Sequence, residues 1–279
     1  MLWVQNELTS SRVGDLFPTT MTDRESYLLL LLSDSNLPTG SFVASSGLES
    51  FIAHGFGSGT NKLEVITTFV RDSLSTYAPS ALPFVADAHL AISTPRSEDQ
   101  EDILEDLQKL DALYECMTLN HVAKRASAAQ GVALLTLYSK GFSRAETDSG
   151  LVDTFKRRVR INDGTAFGHL PVCWGILCAS LGLSLERTQH LHLFLHARAL
   201  LSAAVRLNAI GPYAAQQLLL HTISPFVDEQ VTKCARLRTG ELNRDPAWNE
   251  TTDGPANTWP LGEILAARHD LQHSRIFNS

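Results

Sequence analysis

Two histidines have the clearest metal-ligand spacing in this chain. His192 and His196 are four residues apart, so one face of a helix would carry both imidazoles, a spacing that can bind a transition metal. His190 falls on a different face, the motif H-E-x-x-H is absent and no third ligand is evident. His269 and His273 repeat the spacing near the end of the chain. Among ten histidines such pairs arise by chance, so packing or surface histidines are the favoured interpretation.

The alternative is a metalloenzyme that uses His192 and His196, and a weak or dimer-shared metal site stays open. Metal analysis separates the interpretations, because tightly held, stoichiometric iron or zinc would favour the enzyme.

The other motifs with catalytic potential are incomplete. Residues 55–59 read Gly-Phe-Gly-Ser-Gly, but neither the P-loop nor the dinucleotide-binding pattern is completed and no strand is expected before them. The acidic cluster at residues 99–102 lies at an expected helix start, where the helix dipole favours negative charge. A second acidic motif and a G-x-S-x-G elbow are both missing. These motifs therefore offer no complete catalytic constellation, and we expect no tightly bound cofactor.

Composition and charge exclude further classes of protein. With 279 residues, 44% hydrophobic and 19% charged, the chain has the balance of a soluble globular protein. A net charge of −7 argues against binding to a nucleic-acid backbone, which needs a basic face. The four cysteines form no C-x-x-C pair, which indicates a reducing compartment, and we expect a cytoplasmic protein.

One uncharged stretch raises the alternative of a membrane anchor. Residues 165–185 contain no acidic residue, lysine or arginine, and that length could span a bilayer. Proline and glycines interrupt the stretch, which favours a short buried helix from about Pro171 to Leu181, capped by Gly182. We therefore predict no membrane association.

Helical periodicity dominates the chain, and neither alternating β-branched runs nor hairpin signals are found. Helices are expected near residues 48–55, 63–77, 104–117, 120–138, 171–181, 185–207, 212–222 and 225–237. The segment 185–207 is expected to be the longest helix and, being apolar on nearly all sides, a central one. The prediction is an all-α fold, a single-domain bundle of about ten helices.

The expected organisation has four parts: a flexible N-terminal segment (1–22), the helical domain (23–238), a loop (239–260) and a C-terminal tail (261–279). A connection as long as the loop is either functional or flexible, so the tail could move independently of the bundle.

The tail places arginines among its apolar residues. Wound at about 100° per residue, it forms an apolar stripe of Leu261, Ile264, Leu265, Leu271 and Ile276. Arg268, Gln272 and Arg275 fall inside this stripe. A helix that packs only on its own core keeps charges on the solvent side, whereas arginine is enriched at interfaces. A partner-binding surface is one interpretation; a terminal segment whose helical phase does not persist is the other.

Two motifs carry a more specific signal. The first is LLSDSNLPTGSF at residues 31–42 followed by SSGLES at 45–50, which predicts a helix, a turn and a second helix capped by serine. The second is SAAVRLN at 202–208 followed by IGPY at 210–213. With Gly168-His169 between them and Arg268-His269 near the end, these motifs resemble the UreF family of urease accessory proteins, in a eukaryotic or fungal form. The resemblance runs from about residue 27 to residue 277.

The resemblance implies an all-α protein without catalytic activity that helps nickel insertion into urease. Its implied partners are a UreD-type accessory protein (also called UreH), a UreG-type GTPase that carries nickel, and apo-urease, and a homodimer is expected. Carried over by position, partner binding by the tail concerns Arg268, His269, Ser274, Arg275 and Phe277.

Three residues of the first motif are expected to shape its turns, namely Pro38, Gly40 and Gly47, and the two glycines would permit close backbone approach. The chain departs from the family pattern at Ser41, at His273 and at Gly211-Pro212.

Overall fold

The structure is a computed structural model that describes residues 23–56, 61–94, 99–143, 150–161, 164–242 and 246–279. Every regular element in these ranges is helical, which confirms the all-α prediction. The α-helices are α1 (Asp23–Leu32), α2 (Leu48–Ala53), α3 (Lys62–Ser93), α4 (Gln100–Met117), α5 (His121–Leu137), α6 (Leu151–Ile161), α7 (Leu170–Leu181), α8 (Leu185–Arg206), α9 (Pro212–Gln217), α10 (Ser224–Cys234), α11 (Glu250–Asp253) and α12 (Pro260–Ala267).

Short irregular helices complete the described part: 3₁₀ turns at Ser41–Val43 and Arg268–Leu271, and π-helical turns at Tyr138–Phe142 and Leu218–Ile223. The N-terminal segment 1–22 lies outside the described residues. So do residues 57–59, which hold most of the glycine-rich motif.

Helix α3, and not α8, is the longest element, with 32 residues against 22. The apolar periodicity predicted α3 only as far as Tyr77. Beyond that residue α3 is buried on nearly all sides, so its sequence carries no amphipathic pattern. Pro79 and Pro83 lie inside the helix, and the carbonyl of Pro79 accepts the backbone N–H of Ala256 at 3.2 Å.

Helix α7 packs across α3 at the centre of the bundle, and α8 packs against both, as expected for a central helix. A Cβ added to Gly175 would lie 2.6 Å from the carbonyl oxygen of Val85, so only glycine allows this approach of the two helices. The predicted start and the Gly182 cap are confirmed, since Gly182 is left-handed with φ 86°. In the part of the chain that the structure describes, no helix is both long and apolar enough to cross a membrane.

A buried carboxylate fixes the segment that leads into α7. Asp111 is fully buried and accepts the backbone N–H groups of Phe167, Gly168 and His169 at 2.5, 2.7 and 2.8 Å. The His169 imidazole pairs through Nε2 with Glu115 Oε2 at 2.9 Å. The Gly168-His169 motif is therefore held in place by α4.

The connection 239–260 is tied to α3 rather than free. Thr239 donates its backbone N–H and its hydroxyl to Asp87 Oδ2 at 2.8 and 2.5 Å. Near the other end, the Trp259 ring packs edge-on against Phe69 with centroids 5.2 Å apart. These contacts contradict the expectation that the connection lets the tail move independently.

Candidate partner-binding site at the C-terminal tail

The tail (residues 261–279) is not one continuous helix. Helix α12 ends at Ala267, a 3₁₀ turn covers Arg268–Leu271, and the chain is extended or irregular from Gln272 onward. The alternative in which the helical phase does not persist is therefore correct. The helical spacing of side chains extends no further than about residue 271. Gln272, Arg275 and Ile276 take their positions from other contacts.

Helix α12 rests on the first motif. Gly47 has φ 86°, and a Cβ built on it would lie 3.3 Å from the Cβ of Ala266. Gly47 thus provides both the left-handed turn before α2 and the space for α12. Gly40 is also left-handed, with φ 74°, while Pro38 lies exposed in the preceding turn.

The last residues of the tail are clamped by Glu49. Its buried carboxylate accepts the backbone N–H of Ile276 at 2.6 Å and of Phe277 at 3.1 Å. His269 is fully buried and donates from Nε2 to the carbonyl of Phe277 at 3.1 Å. Phe277 is 2% exposed, so both His269 and Phe277 face the chain's own domain rather than solvent.

An arginine of the second motif completes this clamp. The Arg206 guanidinium lies 3.9 Å from the ring centroid of Phe42 and 4.2 Å from that of Phe277, which is a double cation–π contact. The backbone adds two pairings, from Asn278 N–H to Val43 carbonyl at 2.8 Å and from Ser45 N–H to the carbonyl of residue 279 at 2.6 Å. The two sequence motifs and the tail therefore meet at Phe277.

Asp270 holds the middle of the tail on α5. Arg125 donates to both Asp270 oxygens at 2.8 and 2.9 Å, and Arg275 Nη1 donates to Oδ1 at 2.8 Å. The hydrogen bonds from Arg125 are the main reason that the pKa of Asp270 falls from 3.8 to about 2. Arg275 thus has an intramolecular partner, although its side chain remains 41% exposed.

One side of the tail faces solvent. The exposed stripe consists of Leu261, Ile264, Arg268 and Leu271. The spacing of three, four and three residues is that of one helical face, while Leu265 and His269 lie buried on the other side. Arg268 Nε donates to His54 Nε2 at 2.8 Å, and Ser274 lies exposed nearby in a shallow depression that Arg268 and Leu271 also line.

The predicted tail residues therefore divide into two groups. Arg268, Ser274 and Arg275 are exposed, whereas His269 and Phe277 are buried in the clamp. Sequence reasoning missed Glu49, Arg125, Arg206 and Asp270 as residues that position the tail. Glu49 and Arg206 stand inside the two recognised motifs, which is the one signal that could have found them.

His192 and His196 lie in the interior, on the wall of a cavity of about 240 Å³. His192 Nε2 pairs with the Tyr77 hydroxyl at 3.0 Å, and His196 Nε2 pairs with the Ser73 hydroxyl at 2.9 Å. Burial lowers the pKa of His192 to about 3 and that of His196 to about 4, so both are neutral near pH 7. Among the described residues, no group of three or more histidine, cysteine or acidic side chains could hold a metal ion.

Comparison with known proteins agrees with the motifs. The sequence model of the family described as UreF matches residues 62–223. Urease accessory protein 6 of Cryptococcus neoformans var. grubii is 43% identical, and the alignment covers 92% of this chain and 98% of that protein. An uncharacterized urease accessory protein UreF-like of Schizosaccharomyces pombe is 33% identical, and the alignment covers 93% of this chain and all of that protein. Urease accessory protein F of Oryza sativa subsp. indica is 32% identical, and the alignment covers 88% of this chain and 82% of that protein.

Fold and site together define an all-α protein whose clamped tail displays an apolar surface that contains arginine. The family match covers more than half of the chain, and the fungal relatives align over nearly all of it. This chain belongs to the UreF family of urease accessory proteins.

Proposed function

We propose that this protein is a cytoplasmic scaffold for assembling the metal centre of urease. It holds a UreD/UreH-type accessory protein and a UreG-type GTPase in register, as a homodimer, so that nickel released by the GTPase is directed to the empty site of apo-urease. Nickel is cargo in this proposal. Membership of the UreF family, whose relatives are named urease accessory proteins, supports it.

The observation that carries the proposal is the exposed stripe of the tail. Leu261, Ile264 and Leu271 are 44%, 60% and 74% exposed, with Arg268 between them. Aliphatic side chains grouped around an arginine on a fixed backbone favour association with another protein, because their burial then releases water. Arginine is also among the residues enriched at such interfaces. We assign this surface to the UreD/UreH-type partner.

The mechanism would be differential binding rather than bond chemistry. A scaffold directs nickel only if it binds one nucleotide state of the GTPase better than the other, because equal affinity shifts no equilibrium. A backbone clamped by Glu49 and Arg125 lowers the conformational entropy lost when the stripe meets its partner.

Co-purification with the stripe altered tests the proposal. Leu271→Glu places a charge on the stripe and, because Leu271 is exposed, leaves the fold intact. Capture of a co-expressed UreD/UreH-type partner should fall at least about tenfold, since a carboxylate would lose its hydration in the interface. Leu220→Glu is the matched control at 67% exposure on another face, and capture should stay near that of the unaltered chain. Equal capture by the Leu271 and Leu220 variants would overturn the assignment.

A further inference from the structure

Helix α6 concentrates positive charge in an acidic protein. Its eleven residues contain Lys156, Arg157, Arg158 and Arg160, and its one acidic residue is Asp153. The whole chain has a net charge of −7, so this concentration is local and opposite in sign to the rest of the molecule.

Several cations in this region have no carboxylate of the described residues within ion-pair distance, among them Arg157, whose guanidinium donates to the Thr154 hydroxyl at 2.9 Å. Arg158 is paired with the side chains of Glu101 and Gln108. In contrast, no carboxylate among the described residues lies within ion-pair distance of Lys140, Lys156 or Arg160. We call these three residues the basic cluster. The nearby Asp153 carboxylate accepts the Ser139 hydroxyl at 2.6 Å.

The members of the basic cluster lie close enough to repel one another. Lys156 is 8% exposed, and this burial is the main reason that its pKa is lowered. The charges of Arg160 and Lys140 lower the pKa further, and Asp153 only partly opposes them. Burying a lysine among like charges is costly, and a bound anionic group would relieve that cost.

We propose that the basic cluster, with the exposed Ile161 beside it, is a second docking surface, for a protein segment that carries clustered carboxylates around an apolar side chain. Ile161 is 67% exposed at the end of α6 and supplies the apolar contact. Arginine and lysine fit carboxylates by charge-assisted hydrogen bonds. The exposed Ile161 favours a protein segment over a nucleic acid as the occupant, because a phosphate backbone carries no apolar side chain to cover it.

The position of the basic cluster lets two partners bind at the same time. Arg125 of α5 holds the tail through Asp270, while Ser139, just beyond the other end of α5, holds α6 through Asp153. The rise of a helix over those residues separates the two contacts by about 20 Å. The inference goes beyond the proposed function, because it assigns a surface that the exposed stripe does not include.

A charge-reversal pair on the full-length chain tests this inference. The probe is a fluorescently labelled peptide with five glutamates around one leucine, and its glutamine counterpart is the uncharged reference. Lys140→Glu with Arg160→Glu should weaken binding of the acidic peptide by about tenfold or more. Lys62→Glu with Arg236→Glu is the control, because both residues are exposed and the change in net charge is the same. The control should bind the peptide as the unaltered chain does.

Two results would overturn the inference. Equal loss in both double variants would show that binding follows net charge and not the basic cluster. The second result is an oligonucleotide that binds the basic cluster more tightly than the peptide and displaces it. The occupant would then be a nucleic acid and not a protein segment. Leu271→Glu should bind the peptide normally, so failure here and failure of the proposed tail interface remain distinguishable.

Discussion

Glu49 Oε2 accepts the backbone N–H of Phe277 at 3.1 Å, across 228 positions of the chain. The same carboxylate takes the N–H of Ile276, and the ring of Phe277 covers the guanidinium of Arg206. The two backbone N–H groups stabilise this buried carboxylate by charge-assisted hydrogen bonds. His269 Nδ1 lies 3.9 Å from Glu49 Oε2, which is longer than a hydrogen bond. The tail is therefore held by a residue from each recognised motif.

Replacing Glu49 by glutamine should release the end of the tail. The amide offers one oxygen acceptor and turns N–H donors toward backbone N–H groups, so at least one buried hydrogen bond is lost. We expect the free energy of unfolding to fall by about 1–3 kcal/mol. Hydrogen exchange of the amides at 276–279 should accelerate more than exchange in α3.

The matched control for this experiment is Glu186→Gln. Glu186 lies exposed in the first turn of α8, so the same chemical change should leave exchange in the tail unaltered. Slow exchange at Phe277 in the Glu49 variant would contradict the clamp.

Gly47→Ala tests the packing of α12 on the first motif. Alanine at φ 86° costs about 1 kcal/mol in backbone strain, and its Cβ would also press on Ala266 at 3.3 Å. Gly182→Ala isolates the strain alone, because Gly182 has the same φ and nothing within 4 Å of an added Cβ. Chemical denaturation should show a larger loss for Gly47→Ala, and equal losses would rule out the packing contribution.

The sequence was sufficient for most helices but not for the tail. Helices α2, α4, α5, α7 and α8 follow from apolar periodicity and from caps such as Asn120, whose side chain accepts the N–H groups of Val122 and Ala123. Those signals come from residues close together in the chain, so they can be recognised in a single sequence. The second half of α3 was not predicted, because it is buried on nearly all sides and its sequence shows no contrast between helix faces.

The clamp of the tail was not predicted from the sequence for a different reason. Glu49, Arg206 and Phe277 are far apart in sequence, and no local pattern indicates that they meet. Helix α6 was also missed, although Leu151, Phe155 and Val159 have helical spacing, because three consecutive cations dominate its middle. Leu261, Ile264, Arg268 and Leu271 were predicted to share one face, and the structure confirms that they do. Leu265 was predicted on the same stripe, but it is buried on the other side of the tail.

The two histidines on the cavity wall should make stability depend on pH. The folded pKa of His196 is about 4, below the ordinary 6.5, so the unfolded chain binds more protons between these values. The free energy of unfolding should therefore decrease as pH falls from about 6.5 toward 4, by about 1 kcal/mol per pH unit for each such histidine. His196→Gln should flatten this dependence in urea titrations.

His190→Gln is the control on the same helix, since His190 is partly exposed and pairs with Asp228 at 3.0 Å. This variant should keep the slope of the unaltered chain. A slope that His196→Gln leaves unchanged would show that the His196 imidazole does not account for the pH dependence.

Arg275→Ala separates partner binding from docking of the tail. Arg275 shares Asp270 with Arg125, whose two hydrogen bonds to that carboxylate remain in the variant. Helix content should therefore stay the same, and the free energy of unfolding should change by less than about 1 kcal/mol. If the exposed guanidinium contacts a partner carboxylate, capture of the UreD/UreH-type protein should still weaken. Arg125→Ala is the comparison, because it also removes the bond to the Asn278 carbonyl and should loosen the tail itself. Unaltered capture of both partner proteins by the Arg275 variant would exclude this residue from the interface.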